Sequence, residues 1–84
     1  VDQFVNHHKV VGRAGPFWCH LTADTVAELH TFAASIGLKR AWFQDGRFKH
    51  YDIGSEAILK KALAAGAKQV SARELVAVTQ RIEP

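Results

Sequence analysis

The sequence predicts an α/β fold: a small single-layer sheet of about four strands covered by three helices, in the order β-β-α-β-α-β-α. Three observations lead there. Between Phe17 and Gly37 the apolar period changes from two to about 3.6, as it does where a strand runs into a helix. Thr25-Val-Ala-Glu28 and Ser71-Ala-Arg-Glu74 both have the capping-box pattern that opens a helix. Asp45-Gly46 is a dipeptide suited to a type I′ hairpin turn.

Taken in order, Val1 to Val11 reads as a short strand and then a loop, and Gly12-Arg-Ala-Gly-Pro16 has the composition of a connector. From Phe17 to Ala23 one face holds Phe17, Cys19, Leu21 and Ala23, and the other holds Trp18, His20 and Thr22. Val26, Leu29, Phe32, Ala33 and Ile36 then share one helical arc, which Gly37 ends. Leu38 to Gln44 reads as a third strand, with Ala41 to Gln44 expected to pair with Arg47 to Tyr51 across the Asp45-Gly46 turn; a plain loop competes. Ser55 is the expected N-cap of a helix whose stripe is Ile58, Leu59, Ala62 and Leu63, stopped by Gly66. Ala67 to Val70 is the expected last strand, and the last helix carries Leu75, Val76, Val78 and Ile82.

Eighty-four residues make one expected domain, 1–84, too small for a large internal cavity, so any site is shallow. Apolar content of 48% and charged content of 23% are those of an ordinary globular chain. The single cysteine, Cys19, allows neither an intrachain disulfide framework nor a multi-cysteine zinc site, which fits a reducing compartment. No apolar run approaches membrane-spanning length and the N-terminus lacks a signal-peptide layout, so no membrane partner and a cytoplasmic location are expected. A net charge of +3 permits a phosphate-bearing partner without demanding one.

Two constellations carry candidate chemistry. Asp2, His20, Asp24, His50 and Asp52 fall at expected strand ends, where ligands of α/β sheets gather. In a metal-dependent reading Asp2, Asp24, His50 and Asp52 hold a divalent metal, His20 acts as acid or base, and His20, Asp24, His50 and Asp52 are the catalytic set. His50 and Asp52, two apart, share one face of a strand. The competing reading makes Asp24 a helix cap and His20 a structural imidazole. The second constellation is Lys39, Arg40, Trp42, Arg47, Lys49 and Tyr51, interleaved with Phe43, Phe48 and His50; cations for phosphates and rings for bases are how single strands are held. Its competitor puts Phe43, Phe48 and Trp42 in the core. Cys19 reads as an inert buried thiol, His30 as an edge residue with a wet tip, and His7-His8 as a weak metal signal. Walker, dinucleotide-fingerprint, HExxH and Gly-x-Ser-x-Gly motifs do not occur.

Trp18-Cys-His20, Ala23-Asp-Thr25, Glu28-Leu-His30, Phe32-Ala33, Ile36-Gly-Leu38, Trp42-Phe-Gln44 and His50-Tyr-Asp52, with Gly66-Ala67 and Arg73-Glu-Leu75, form a family pattern. The chain resembles a group of small phage and bacterial proteins defined as the domain-of-unknown-function family numbered 4031. The resemblance implies a phage or prophage origin and a place in the cytoplasm of the bacterial host. It implies no reaction, but the family's shared polar residues match Asp2, His20, Asp24, His50 and Asp52, which implies a common site. Three functions follow as expectations. The first is a phage accessory domain binding a nucleic acid or phosphate-bearing ligand. The second is a small metal-dependent hydrolase acting on phosphodiesters, and the third is a protein-interaction domain that inhibits a host enzyme.

Overall fold

The computed structural model describes residues 9–13 and 19–84. Its elements are β1 (Val10–Arg13), β2 (Cys19–Thr22), α1 (Val26–Ser35), a 3-10 turn (Arg40–Trp42), β3 (Gln44–Asp45), β4 (Lys49–Ile53), α2 (Glu56–Ala64), β5 (Lys68–Val70) and α3 (Ala72–Arg81). The strands form one mixed sheet of five in the order β3-β4-β2-β1-β5. β1 runs parallel to β5, and the other neighbours are antiparallel. The expected α/β class and element order hold, with one more strand than expected.

The helices start where the polar caps put them. Thr25, Ser55 and Ser71 accept from the amides of Glu28, Ile58 and Glu74 at 3.1, 3.4 and 3.1 Å, each satisfying a donor that a helix N-terminus leaves open. Gly37 at φ +94° and Gly66 at φ +108° turn the chain out of α1 and α2 in the left-handed region, which L side chains enter only at a cost. The end of α3 is fastened to the start of α1, since the Glu83 amide donates to the Asp24 carbonyl (2.8 Å) and the Glu83 carbonyl accepts from Val26 (2.7 Å).

Pleating divides the sheet into two faces. Val11, Cys19, Leu21, Tyr51 and Ile53 point to one side, where Leu29, Phe32 and Ala33 of α1 and Leu59 and Ala62 of α2 complete the main core. Val10 points to the other side and packs on Leu75 and Val78 of α3. Helices therefore lie on both faces, and α3 rests over β1 and β2.

Two segments depart from expectation. Gly12 and Arg13 belong to β1 rather than to a connector. Gly12 suits that place because a Cβ there would meet Leu75 Cβ and Cδ2 at 3.1 Å, so its missing side chain lets α3 sit close. The segment from Leu38 to Phe43 is not a strand. Leu38 and Phe43 pack on the same core, yet an odd separation would point them to opposite faces of an extended chain. The 3-10 turn reconciles them, with the amides of Trp42 and Phe43 donating to the carbonyls of Lys39 and Arg40 at 2.9 and 3.2 Å. The hairpin is real, but its register is shifted. Gln44 pairs with His50 and Asp45 with Lys49, leaving Gly46 to Phe48 as the loop, and an Asp45–Lys49 ion pair at 3.4 Å lies across it. The expected strand before Val10, Phe17 and Trp18, and the His7-His8 pair fall outside the described residues.

Under α1, the Tyr51 ring is 1% exposed and its hydroxyl lies 2.8 Å from His30 Nδ1, while Phe43 meets the imidazole edge-on at 4.5 Å between centroids. His30 Nε2 is buried with no hydrogen-bond partner. Desolvation, reinforced by the nearby Arg40 and opposed by Asp45, holds the His30 pKa below its ordinary 6.5, and desolvation raises that of Tyr51 despite the same Arg40.

Two outcomes follow from this packing. Leu29→Ala empties a fully buried position and is expected to lower unfolding free energy by about 2–5 kcal/mol, read from urea denaturation. Because His30 binds a proton more weakly folded than unfolded, the stability it contributes is complete above its unfolded pKa and is lost as pH falls through that value toward the lower folded one. Urea midpoints measured between about pH 7.5 and 5 should therefore fall less steeply with acid in His30→Gln than in the parent chain.

Candidate metal centre

The site is assembled by strand register. In the antiparallel β2–β4 pair His20 lies directly opposite Asp52, and His50 lies two residues earlier along β4. Cys19, Leu21, Tyr51 and Ile53 are committed to the main core, so the intervening His20, His50 and Asp52 must all emerge on the other face. Beside His20 in the same row is Gly12, with Leu75 of α3 over it; beside His50 on the outer edge is Gln44 of β3. The fully buried Thr22 donates its hydroxyl to the Lys49 carbonyl at 2.9 Å, pinning β2 to β4 at the end of the trio.

Three donor atoms converge. His20 Nε2 and His50 Nε2 lie 3.1 and 3.2 Å from the same oxygen, Asp52 Oδ1, and all three atoms fall within 4.8 Å of one another. The imidazoles are 4.1 Å apart between centroids and tilted by 33°. Despite its two near nitrogens, Asp52 Oδ1 is shut off from solvent and receives no hydrogen bond. A buried acceptor left this way costs about 1–3 kcal/mol.

The tautomer of His50 sharpens the point. Its Nδ1 lies 2.7 Å from the Phe48 carbonyl, which can only accept, so Nδ1 carries the hydrogen. In the neutral ring Nε2 then offers a lone pair toward a carboxylate oxygen, an arrangement that repels unless a cation sits between them. A second ring N–H donating to a backbone carbonyl is also the usual outer support of a metal-bound histidine. The pKa of His20 is lowered by desolvation first and by His50 second, with Asp52 opposing, so His20 favours the neutral, ligating form. Ligands bound at roughly 2.0–2.2 Å and about 90–110° apart are separated by about 2.8–3.6 Å, a range that includes both nitrogen–oxygen distances here.

Not every expected residue joins this group. Asp24 follows β2 and is not one of the three converging donors; its backbone carbonyl takes part in fastening α3. Asp2 lies outside the described residues. The basic and aromatic set occupies other ground. Lys49 and Tyr51 alternate to the face of β4 opposite His50 and Asp52, and Tyr51 is buried, so its ring is no stacking surface. Lys39 stands over the Trp42 ring at 5.6 Å, Arg40 over Phe43 at 5.3 Å and Arg47 over Phe48 at 5.5 Å. Trp42 and Phe48 are 49% and 37% exposed, against the expectation of core rings, while Phe43 packs against the core. Cys19 is the buried free thiol expected.

Sequence reasoning missed the Phe48 carbonyl, the Thr22 pin and the Gly12–Leu75 wall. The first two act through backbone oxygens, which leave no mark on residue type; only Gly12, a glycine inside a strand, was a readable sign of close approach.

Among the described residues no helix is long and apolar enough to cross a membrane. No curated protein and no solved structure matches the chain. The family model described as "Protein of unknown function (DUF4031)" matches residues 3–82, a span that takes in the whole sheet and all three converging side chains. The chain therefore belongs to the DUF4031 family.

Proposed function

We propose that this domain is a small metal-dependent hydrolase in which His20, His50 and Asp52 hold a divalent cation that activates water against a phosphate-bearing substrate. The observation that carries the reading is the approach of two imidazole nitrogens to one solvent-shielded carboxylate oxygen that neither of them hydrogen-bonds. A cation at that point satisfies all three atoms at once.

The chemistry follows from what remains open. The protein donors come from the sheet below, and the side chains of His20 and Asp52 keep 32% and 39% exposure, so the positions facing away from the sheet are left to water and substrate. A zinc-like ion held by His20, His50 and Asp52 would supply water whose pKa is lowered to about 7, and so a nucleophile at neutral pH. With Asp52 as the single anionic ligand, the loaded site keeps a net charge near +1, which suits an anionic phosphodiester. Gln44, exposed and paired with His50, is placed to hydrogen-bond a substrate oxygen. The resemblance to phage and bacterial proteins supports action in a bacterial cytoplasm, where the one buried free cysteine is at home.

A second reading rests on the edge formed by the 3-10 turn and the β3–β4 loop, where Trp42 is half exposed beneath Lys39 and Arg47 flanks Phe48. Exposed rings beside cations are the means by which single-stranded nucleic acid is held. It predicts an oligonucleotide gel shift at low ionic strength that weakens with salt and with Trp42→Ala, and no shift at low salt removes it.

For the main reading, isothermal titration of the protein with manganese, magnesium and zinc should give heat and a raised melting temperature with at least one ion, and that ion should support hydrolysis of bis(p-nitrophenyl) phosphate. His20→Ala, His50→Ala and Asp52→Ala should each weaken binding by roughly tenfold or more, while His30→Gln, on the other face, should leave it unchanged. Absence of both heat and thermal shift with every ion ends the proposal.

A further inference from the structure

We infer that the trio on β2 and β4 is a mononuclear site for a zinc-class transition ion, and that magnesium and calcium are not its cofactors; this rests on the reading of His20, His50 and Asp52 as cation ligands. Many hydrolases of phosphate esters use oxygen-rich sites for hard cations, so the choice of ion decides which kind of catalyst this is.

The donor set is the first argument. Two of the three ligands are imidazole nitrogens, which suit zinc, cobalt, nickel and iron, whereas calcium gathers six to eight oxygens, in round terms, and magnesium keeps several waters beside one or two carboxylates. The second is preparation for nitrogen ligation. The Phe48 carbonyl holds the hydrogen of His50 on Nδ1, so Nε2 is the nitrogen turned toward Asp52 before any ion arrives. Such a preset imidazole nitrogen has no use in a site for a hydrated hard cation. The third is the carboxylate, which brings one shielded oxygen to both nitrogens and so acts through a single atom rather than as the bidentate clamp that calcium favours.

The count of ions follows from the same geometry. Both imidazole nitrogens lie 3.1 and 3.2 Å from the same carboxylate oxygen, a spacing that one ion spans. A two-metal centre holds its ions about 3.5–4 Å apart and needs a second set of ligands. Among the described residues His20, His50 and Asp52 are the only such group.

The test is a competition on the intact chain. Cobalt(II) is titrated in and its visible absorption followed, then zinc, iron(II), magnesium and calcium are added as competitors. The expected result is saturation at one equivalent, the intense absorption of four- or five-coordinate cobalt, displacement by zinc at comparable concentration, and no displacement by magnesium or calcium at about a thousandfold excess. His50→Gln, which keeps a polar side chain of similar reach, should lose the spectrum. Circular dichroism reports whether it still folds, and the competition on the parent chain stands without it. Displacement by magnesium or calcium at comparable concentration overturns the ion class. A second equivalent lost with His50→Gln overturns the single-ion site. No binding by any ion removes the hydrolase reading together with this one, whereas magnesium binding with hydrolysis removes this one alone.

Discussion

The antiparallel register between β2 and β4 is the constraint on which the remaining architecture rests. Setting His20 opposite Asp52 and Leu21 opposite Tyr51 gives each strand two unlike faces at once. One face is sealed by α1 and α2 over Leu21, Tyr51 and Ile53, and the other carries imidazoles and a carboxylate. A slip of one residue would bury His20 and Asp52 in the main core and expose Tyr51 and Ile53, at a cost that few small domains can bear. The apolar alternation thus fixes the polar geometry. The core, by choosing the register, is what brings the three polar side chains together.

What the polar face sacrifices in stability is visible. Asp52 Oδ1 is buried without a hydrogen bond, although His50 Nε2 lies 3.2 Å from it. In a chain of 84 residues, whose total stability is a small difference between large terms, such a conflict is sizeable. It persists because the backbone around it is over-determined: Thr22 bonds across to the Lys49 carbonyl, Phe48 holds the His50 ring, and Gly12 lets Leu75 close down beside His20. Local strain held in place by a rigid scaffold clusters at functional sites, and the groups that meet here, two imidazoles and a carboxylate, are of the kinds that ligate metal ions.

Much of this was legible in the sequence, and the parts that were not share a cause. Capping by Thr25, Ser55 and Ser71 and the stops at Gly37 and Gly66 are local, so the helices were readable from a few residues each. The two-residue spacing of His50 and Asp52 was readable for the same reason. The convergence of His20 on them was only a hope until β2 and β4 were known to be neighbours, because sheet order is a long-range property. The segment from Leu38 to Phe43 misled because its composition is strand-like, while its conformation is set by two side chains seeking the same core. Asp45-Gly46 misled by a short distance: the turn chemistry was present, but the pairing that won leaves Asp45 in the strand opposite Lys49.

The sequence also presented the run from Arg47 to Asp52 as one mixed cluster of cations, rings and acids, and pleating separates it into two surfaces. His50 and Asp52 go with His20; Lys49 and Tyr51 go to the opposite side, where the Tyr51 hydroxyl meets His30. Arg47 and Phe48 stay in the loop that joins β3 to β4. From that loop the Phe48 carbonyl reaches the trio, and by binding Nδ1 of His50 it leaves Nε2 to face Asp52. A cationic edge and a candidate metal centre are therefore different places on the molecule, linked where the His50 side chain donates to the Phe48 carbonyl. Adjacency in sequence made them look like one site. The alternation of a five-residue strand makes them two, and assigns the chemistry to the face that the hydrophobic core left open.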